Sequence, residues 1–366
     1  MSDVYEKYGL KRVINASGKM TILGVSKVSD GVLEAQKFGG QHFFEMSELV
    51  LKTGQHIAKL LGAEDAIIVN SASAGIAQAV AGVIGQGSKY HAYHSGTERI
   101  TRRDIVIPKG QNVDYGAPEE VMIQLGGGHV VEAGYANMCS PEHVDMMIND
   151  NTAAVLYVKS HHAVQKSMLE VADAVKVAHA HNLPLILDAA AEEDLKKYLD
   201  LDVDIIIFSG AKSLEGPASA LVYGKQKYIE WIRLQSIGIG RAMKIGKDNI
   251  LGLTAAIEEY LKIGPENGDK MKQRLAPFLS DLNKINGIQA KEVQDGAGRD
   301  IYRASVTVKD DSPLNAKEVT AKLKEGNPAI YTREYRANVG IIEFDIRAVD
   351  GEEMDKIVTR LNEILK

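Results

Sequence analysis

Several stretches of this chain are apolar almost without a break, and that constrains the fold more than any other feature. They are Ala66-Ile67-Ile68-Val69, Ala153 to Val158, Pro184-Leu185-Ile186-Leu187, Ile205-Ile206-Ile207-Phe208 and Ala218 to Tyr223. A strand with one face in water alternates apolar and polar residues, so unbroken apolar strands must be covered on both faces. Shorter strand-like segments lie at Asp104 to Ile107 and His129 to Glu132. Between them, Ala74 to Ile84, Pro118 to Leu125, Pro141 to Ile148 and Leu169 to Ala180 read as helices, with Ser140 the N-cap of the third. This alternation predicts an α/β domain built on a mostly parallel sheet. After Gly246 the texture changes. Helices at Asn249 to Ile263 and Met271 to Ile285 flank the breaker Gly264-Pro265-Glu266-Asn267-Gly268. Strands at Ile288 to Val293, Tyr302 to Val308 and Ile341 to Ile346 follow, with helices at Asn315 to Lys324 and Glu352 to Leu365. The expected organisation is an N-terminal segment (1–45) packing on the small domain or a partner subunit, a large α/β domain (46–246) and a small C-terminal α+β domain (247–366).

The ends of two of these strands carry chemistry. Asp188 closes the run from Pro184, and Lys212 sits in Phe208-Ser209-Gly210-Ala211-Lys212-Ser213, about two dozen residues later. A carboxylate on one strand and a lysine just past the next meet the needs of pyridoxal 5'-phosphate. The acid keeps the proton on the ring nitrogen, the lysine carries the cofactor covalently, and Ser209 can bind its phosphate. Asn70-Ser71-Ala72-Ser73-Ala74-Gly75 lies between a strand and a helix. There, small residues and a helix N-terminus favour an anion, which makes Ser71, Ala72 and Ser73 the expected phosphate cradle.

Other motifs are more open. His161-His162 follow the strand Ala153 to Val158, at the edge where open α/β sheets place ligands. They read as proton-transfer or substrate residues, or as a surface pair. Metal binding is not expected, because adjacent histidines point apart and no carboxylate or cysteine cluster accompanies them. Gly238-Ile239-Gly240 resembles a dinucleotide fingerprint but lacks the strand, turn and helix around it. Arg241, Lys244 and Lys247 form a cationic stretch suited to an anionic substrate or to a solvated loop. Arg333, Arg336 and Arg347 are the small-domain candidates for gripping a carboxylate.

The totals exclude several classes. A net charge of −6 with a pI near 6.0 disfavours a general nucleic-acid surface. The single cysteine, Cys139, excludes an intrachain disulfide and fits a reducing compartment. No signal pattern opens the chain and no apolar run reaches membrane-spanning length, so a soluble cytoplasmic protein with no membrane partner is expected.

Four segments carry a family resemblance: Arg12-Val13-Ile14-Asn15-Ala16-Ser17-Gly18, Asn70 to Gly75, Leu187-Asp188-Ala189-Ala190 and Phe208 to Lys212. From about residue 8 onward the chain resembles the fold-type I pyridoxal phosphate enzymes, in the branch that includes bacterial selenocysteine synthase. Arg241-Ala242-Met243-Lys244 looks like a variant of that branch's Arg-Ala-Leu-Arg segment. Within the branch, Lys109 to Pro118, Lys159 to Lys166 and Tyr331 to Asn338 are most similar to D-glucosaminate-6-phosphate ammonia-lyases. The resemblance implies a large domain with a mostly parallel seven-stranded sheet, a small C-terminal domain, and a homodimer or higher homo-oligomer. Two departures stand against a selenium transferase. Selenocysteine synthases carry an extra N-terminal domain for tRNA, which is not expected here because the sequence opens almost directly on Ile14-Asn15-Ala16, and the branch's Gly-Arg reads Gly24-Val25. The usual aromatic or His stacked on the cofactor ring is also replaced, in the matching stretch, by Gln111 and Asn112.

The implied substrate is a small anionic amino acid or amino-sugar acid, and the implied activity is carbon-nitrogen lysis in amino-sugar-acid catabolism. Lys212 would move the Cα proton, and Lys212 or His162 would protonate the leaving 3-hydroxyl. Arg347 or Arg333 would hold the carboxylate, and Arg241 and Lys244 the sugar phosphate. A selenocysteine synthase-like transferase, another β-eliminating or racemising enzyme, and a non-catalytic cofactor- or metabolite-binding protein are the alternatives.

Overall fold

The computed structural model describes residues 3–160, 162–296 and 298–366. Its contacts divide the chain into a larger unit, Val28–Gly264, and a smaller one made of the residues up to Lys27 together with Pro265–Lys366. The strands are β1 (Val13–Ala16), β2 (Asp65–Val69), β3 (Asp104–Pro108), β4 (His129–Ala133), β5 (Thr152–Val158), β6 (Leu185–Asp188), β7 (Ile205–Ser209), β8 (Ala220–Gly224), β9 (Ile288–Gln294), β10 (Tyr302–Val308), β11 (Ala329–Thr332) and β12 (Ile341–Phe344). The helices used below are α1 (Asp30–Gln41), α2 (Met46–Leu61), α3 (Ala72–Gly85), α4 (Glu119–Leu125), α5 (Lys247–Ile263), α6 (Gly268–Leu282), α7 (Ala316–Glu325) and α8 (Gly351–Ile364).

In the larger unit, β2 to β8 form one seven-stranded sheet in the order β2-β8-β7-β6-β5-β3-β4. All neighbours are parallel except β8, which runs antiparallel to both β2 and β7. Successive residues point to opposite faces, and both faces are dry. Ile67, Ile105, Ile107, Ile186, Ile205, Ile207 and Val222 join one buried cluster. Ile68, Val106, Leu185, Leu187, Ile206, Phe208 and Leu221 join the other. That is the physical reason for the unbroken apolar runs.

Helix α3, a run of Ala, Gly and β-branched residues, is buried from Ala74 to Gly85. A Cβ at Gly75 would stand 3.0 Å from Val222 and 3.2 Å from Ile207, so the missing side chain brings α3 close onto the sheet. α1 and α5 pack together within this unit. Residues 28–45 and 247–264, which the sequence reading set outside the large domain, are therefore grouped with it by contacts.

In the smaller unit, β12, β10 and β9 form an antiparallel sheet in that order. Ala304, Val306, Ile342 and Phe344 share a core with Leu275 and Phe278 of α6, Val319 and Leu323 of α7, and Ile357 and Leu361 of α8. β1 pairs parallel with β11, Val13 opposite Ala329, so the part of the N-terminal segment up to Lys27 is built into this unit. The last strand is shorter than the sequence implied. It stops at Phe344, and Arg347 lies in the 3₁₀ turn Ile346–Ala348. Among the described residues no helix is long and apolar enough to cross a membrane.

The approach of α2 to β2 is testable at Gly54, where a Cβ would collide with the Ala66 carbonyl. Gly54→Ala is expected to lower stability by about 1–3 kcal/mol, because the backbone atom it meets cannot swing aside. The readout is the urea unfolding midpoint, and an unchanged midpoint would contradict the packing.

Candidate active site

The carboxyl edge of the seven-stranded sheet gathers the residues singled out above. β6 lies between β5 and β7, with Asp188 opposite Val158 on one side and Ile207 on the other. Asp188 is thus the last residue of a central strand and is 7% exposed. Its Oδ1 accepts a hydrogen bond from the Ala190 amide at 2.9 Å, and its carbonyl accepts one from the Lys159 amide at 2.8 Å. Burial pushes the Asp188 carboxyl up from its ordinary pKa, while the positive charge of Lys212 and the Ala190 amide oppose that shift.

Lys212 sits in a loop that closes on itself. After Ser209 ends β7, the Gly210 amide donates to the Ser219 carbonyl at 2.8 Å and the Gly216 amide to the Gly210 carbonyl at 2.8 Å. A Cβ on Gly210 would collide with Ser219 Oγ, which explains the glycine in Ser-Gly-Ala-Lys. Ser213 Oγ donates to the Glu192 carbonyl at 2.8 Å and pins the loop. Lys212 is half-buried, as is Ser209.

At the same edge, β2 leads through Asn70 into α3. Ser71 is the N-cap, its Oγ accepting from the Ala74 amide at 3.0 Å. The first helical amides, on Ala72 and Ser73, have no partner within the helix and so suit an anion. Ser73 Oγ lies 3.1 Å from the Tyr115 hydroxyl.

Tyr115 and Glu119 are additions that the sequence reading missed. Glu119 is the first residue of α4, fully buried, and among the described residues neither carboxyl oxygen has a hydrogen-bond partner. Burial, reinforced by the nearby Asp188 charge, holds its pKa well above 4.5. Burial and the Glu119 charge also raise the Tyr115 hydroxyl, against the lowering effect of Ser73. The edge therefore holds one carboxyl positioned against a lysine and a second held toward its neutral form. An acid directly after Pro118 looks in sequence like any solvated first-turn residue, as its neighbour Glu120 does. Its burial depends on how the loop after β3 folds back.

The remaining candidates are distributed as follows. His162 is exposed on the loop after β5, its amide donating to Ser160 Oγ at 3.2 Å, and His161 lies outside the described residues. Gln111 is buried, its Oε1 accepting from the Val158 amide at 2.9 Å, while Asn112 donates to Glu132 at 3.0 Å. Arg241 and Lys244 are exposed in the larger unit. Arg333 and Arg347 belong to the smaller unit. Arg347 is tied to the buried Asp345 through two hydrogen bonds of 2.9 Å, and Arg333 lies 3.6 Å from Glu343. Cys139 is buried, its thiol pushed up to about 11 by burial, which makes it a packed residue rather than a nucleophile.

A family model described as L-seryl-tRNA selenium transferase, SelA, matches residues 47–315. A D-glucosaminate-6-phosphate ammonia lyase of Salmonella typhimurium is 44% identical, over 99% of this chain and 98% of its own length. A 5'-C-glycyluridine monooxygenase-decarboxylase of a Streptomyces species is 34% identical, over 99% of this chain and 92% of its own. A solved structure of D-glucosaminate-6-phosphate ammonia-lyase superposes with a TM-score of 0.93 at 43% identity, covering 100% of this chain and 99% of that one.

A neutral Glu119 has a measurable signature. A carboxyl whose folded pKa is raised stabilises fully below its unfolded value, and that contribution is lost as pH rises through the folded pKa. Glu119→Gln, which cannot ionise, is expected to match the native chain near about pH 4 and to be more stable near about pH 8. Denaturant midpoints of both proteins across that range would show the gap widening. A gap independent of pH would mean that Glu119 carries its charge at no cost.

Proposed function

This chain belongs to the SelA family, and from that premise we propose that it is a pyridoxal phosphate-dependent ammonia-lyase acting on D-glucosaminate 6-phosphate. The observation that carries the reading is 44% identity along essentially the whole of both chains to a lyase of that name. It outweighs the 34% identity to the monooxygenase-decarboxylase. The overall charge of −6 favours a small-molecule substrate over a tRNA.

The residues at the sheet edge suit the cofactor. Asp188 offers a buried carboxylate for the ring nitrogen, Lys212 an amine for covalent attachment, and Ser71, Ala72, Ser73 and Ser209 donors for the phosphate. When bound, pyridoxal phosphate supplies an electron sink for the carbon bearing the substrate amino group. Lys212 Nζ removes the proton from that carbon, and the closed loop around it limits where the amine can reach. Asp188 holds a proton on the ring nitrogen. Lys212 Nζ or His162 delivers a proton to the departing 3-hydroxyl. The water lost there is balanced by the water taken up when ammonia is released, leaving 2-keto-3-deoxygluconate 6-phosphate. Arg241 and Lys244 are assigned to the substrate phosphate, and Arg333 or Arg347 to its carboxylate. The enzyme is read as a cytoplasmic homodimer or larger homo-oligomer.

Two experiments test this. Borohydride treatment of the cofactor-loaded protein should fix the cofactor on one lysine, and peptide mapping should find it on Lys212. A label elsewhere would remove the central assignment. D-glucosaminate 6-phosphate should release ammonia and a 2-keto acid, and the unphosphorylated sugar acid should react poorly. Arg241→Ala should raise KM for the phosphorylated substrate roughly ten- to over a hundred-fold, as expected for loss of a charge-assisted contact of about 1.5–3 kcal/mol. Equal loss on both substrates would move the phosphate site away from Arg241, and absence of ammonia release would overturn the lyase reading.

A further inference from the structure

The face of the β9-β10-β12 sheet turned away from its core carries a network of buried charge. Arg303 of β10 is 2% exposed, donating from Nε to Asp345 at 2.9 Å and from Nη1 to Asp295 at 2.8 Å. Asp345 also accepts both contacts from Arg347, and Asp295 accepts from Arg299 Nε at 2.9 Å. Burial alone would raise both carboxyls. Instead Arg347 and Arg303 hold Asp345 far below its ordinary value, and Arg299 and Arg303 do the same for Asp295. Both acids are thus charged and already engaged by arginines. What is left over is donor capacity. Arg303 Nη2 is buried without a hydrogen-bond partner among the described residues, and so is Arg333 Nε.

These two residues line one cavity of about 460 Å³, together with Tyr335, Arg336, Val293 and Glu343. The start of the loop between β11 and β12, with Arg333, Tyr335 and Arg336, forms one wall. It is held by the exchange of Arg333 and Glu343 backbone hydrogen bonds at 2.9 and 3.1 Å and by the Ile341 amide on the Arg336 carbonyl at 3.1 Å. Arg336 is exposed, and its side chain has no ion-pair partner among the described residues. Glu343 is the only acid on the cavity wall among the described residues, and it faces Arg333 at the long separation of 3.6 Å. Burial, and then the neighbouring Arg303 charge, lower the Arg333 pKa against the opposing effect of Asp345, Tyr335 and Glu343. Three guanidiniums around one cavity, with one carboxylate on its wall, form a donor set suited to an oxyanion.

We infer that this cavity is an anion-binding site, in which Arg303, Arg333 and Arg336 receive a phosphate or carboxylate group of a small molecule. The inference does not rest on the lyase reading, since it concerns binding of a free oxyanion to the smaller unit.

The test uses inorganic phosphate and the full-length, cofactor-loaded protein, titrated calorimetrically at constant ionic strength. Phosphate should bind saturably. Arg336→Gln should weaken it roughly ten- to over a hundred-fold, and Arg336→Lys should restore part of the loss. Arg336 is exposed, so both variants should melt like the native protein when phosphate is absent. Arg241→Gln, on the other unit, should leave a small-unit site intact. Absence of saturable binding, equal binding by Arg336→Gln, or loss confined to Arg241→Gln would each overturn the inference. KM for D-glucosaminate 6-phosphate separates the two sources of the anion. If Arg336→Gln raises it and phosphate competes, the cavity takes the substrate's own anionic group. If phosphate binding falls while KM stays, the cavity takes a separate anionic metabolite.

Discussion

The pairing of β6 between β5 and β7 is the constraint on which the site depends. Parallel register fixes where each strand ends, and Asp188 is the last residue of the innermost of the three. A shift by one residue would turn the carboxylate to the opposite face of the sheet and bury a leucine in its place. The near-complete apolar cover on both faces makes such a slip costly, because every side chain of β6 is buried. The core that stabilises the larger unit is therefore also what aims its chemistry.

Electrostatics then separates groups of the same type. Asp188 and Glu119 are both buried carboxyls, yet Lys212 and the Ala190 amide favour charge on the first, while nothing described does so for the second. The smaller unit shows the opposite arrangement, with Asp295 and Asp345 held charged by surrounding arginines whose donors outnumber the acceptors. Burial pushes all four carboxyls up, and they differ in how far neighbouring cations and donors offset it.

What the sequence revealed follows from locality. Asp188, Lys212, Ser71 and Ser73 sit at the ends of strongly patterned strands, so their arrival at one sheet edge could be read from apolar runs and their order. Tyr115 and Glu119 could not, because their burial depends on the path of an irregular loop rather than on periodicity. The pairing of β1 with β11 was equally hidden, since strand partners hundreds of residues apart leave no local mark. Helices α1 and α2, assigned to no element from sequence, carry few buried positions in α1 and a broader apolar stripe in α2. The grouping of α5 with α1 is likewise a tertiary fact.

The β1–β11 pair has a consequence for how the chain is made. The smaller unit contains residues from the first thirty and the last hundred or so, and its core includes Ile14 and Ala16 beside Ile330 and Phe344. During synthesis β1 emerges well before β11, with the whole of the larger unit between them. The larger unit, continuous from Val28 to Gly264, has all its residues available long before then. Completion of the smaller unit is a loop closure around an entire folded domain, with the high contact order that slows such steps. The larger unit can thus be complete while the two parts of the smaller one have still to meet.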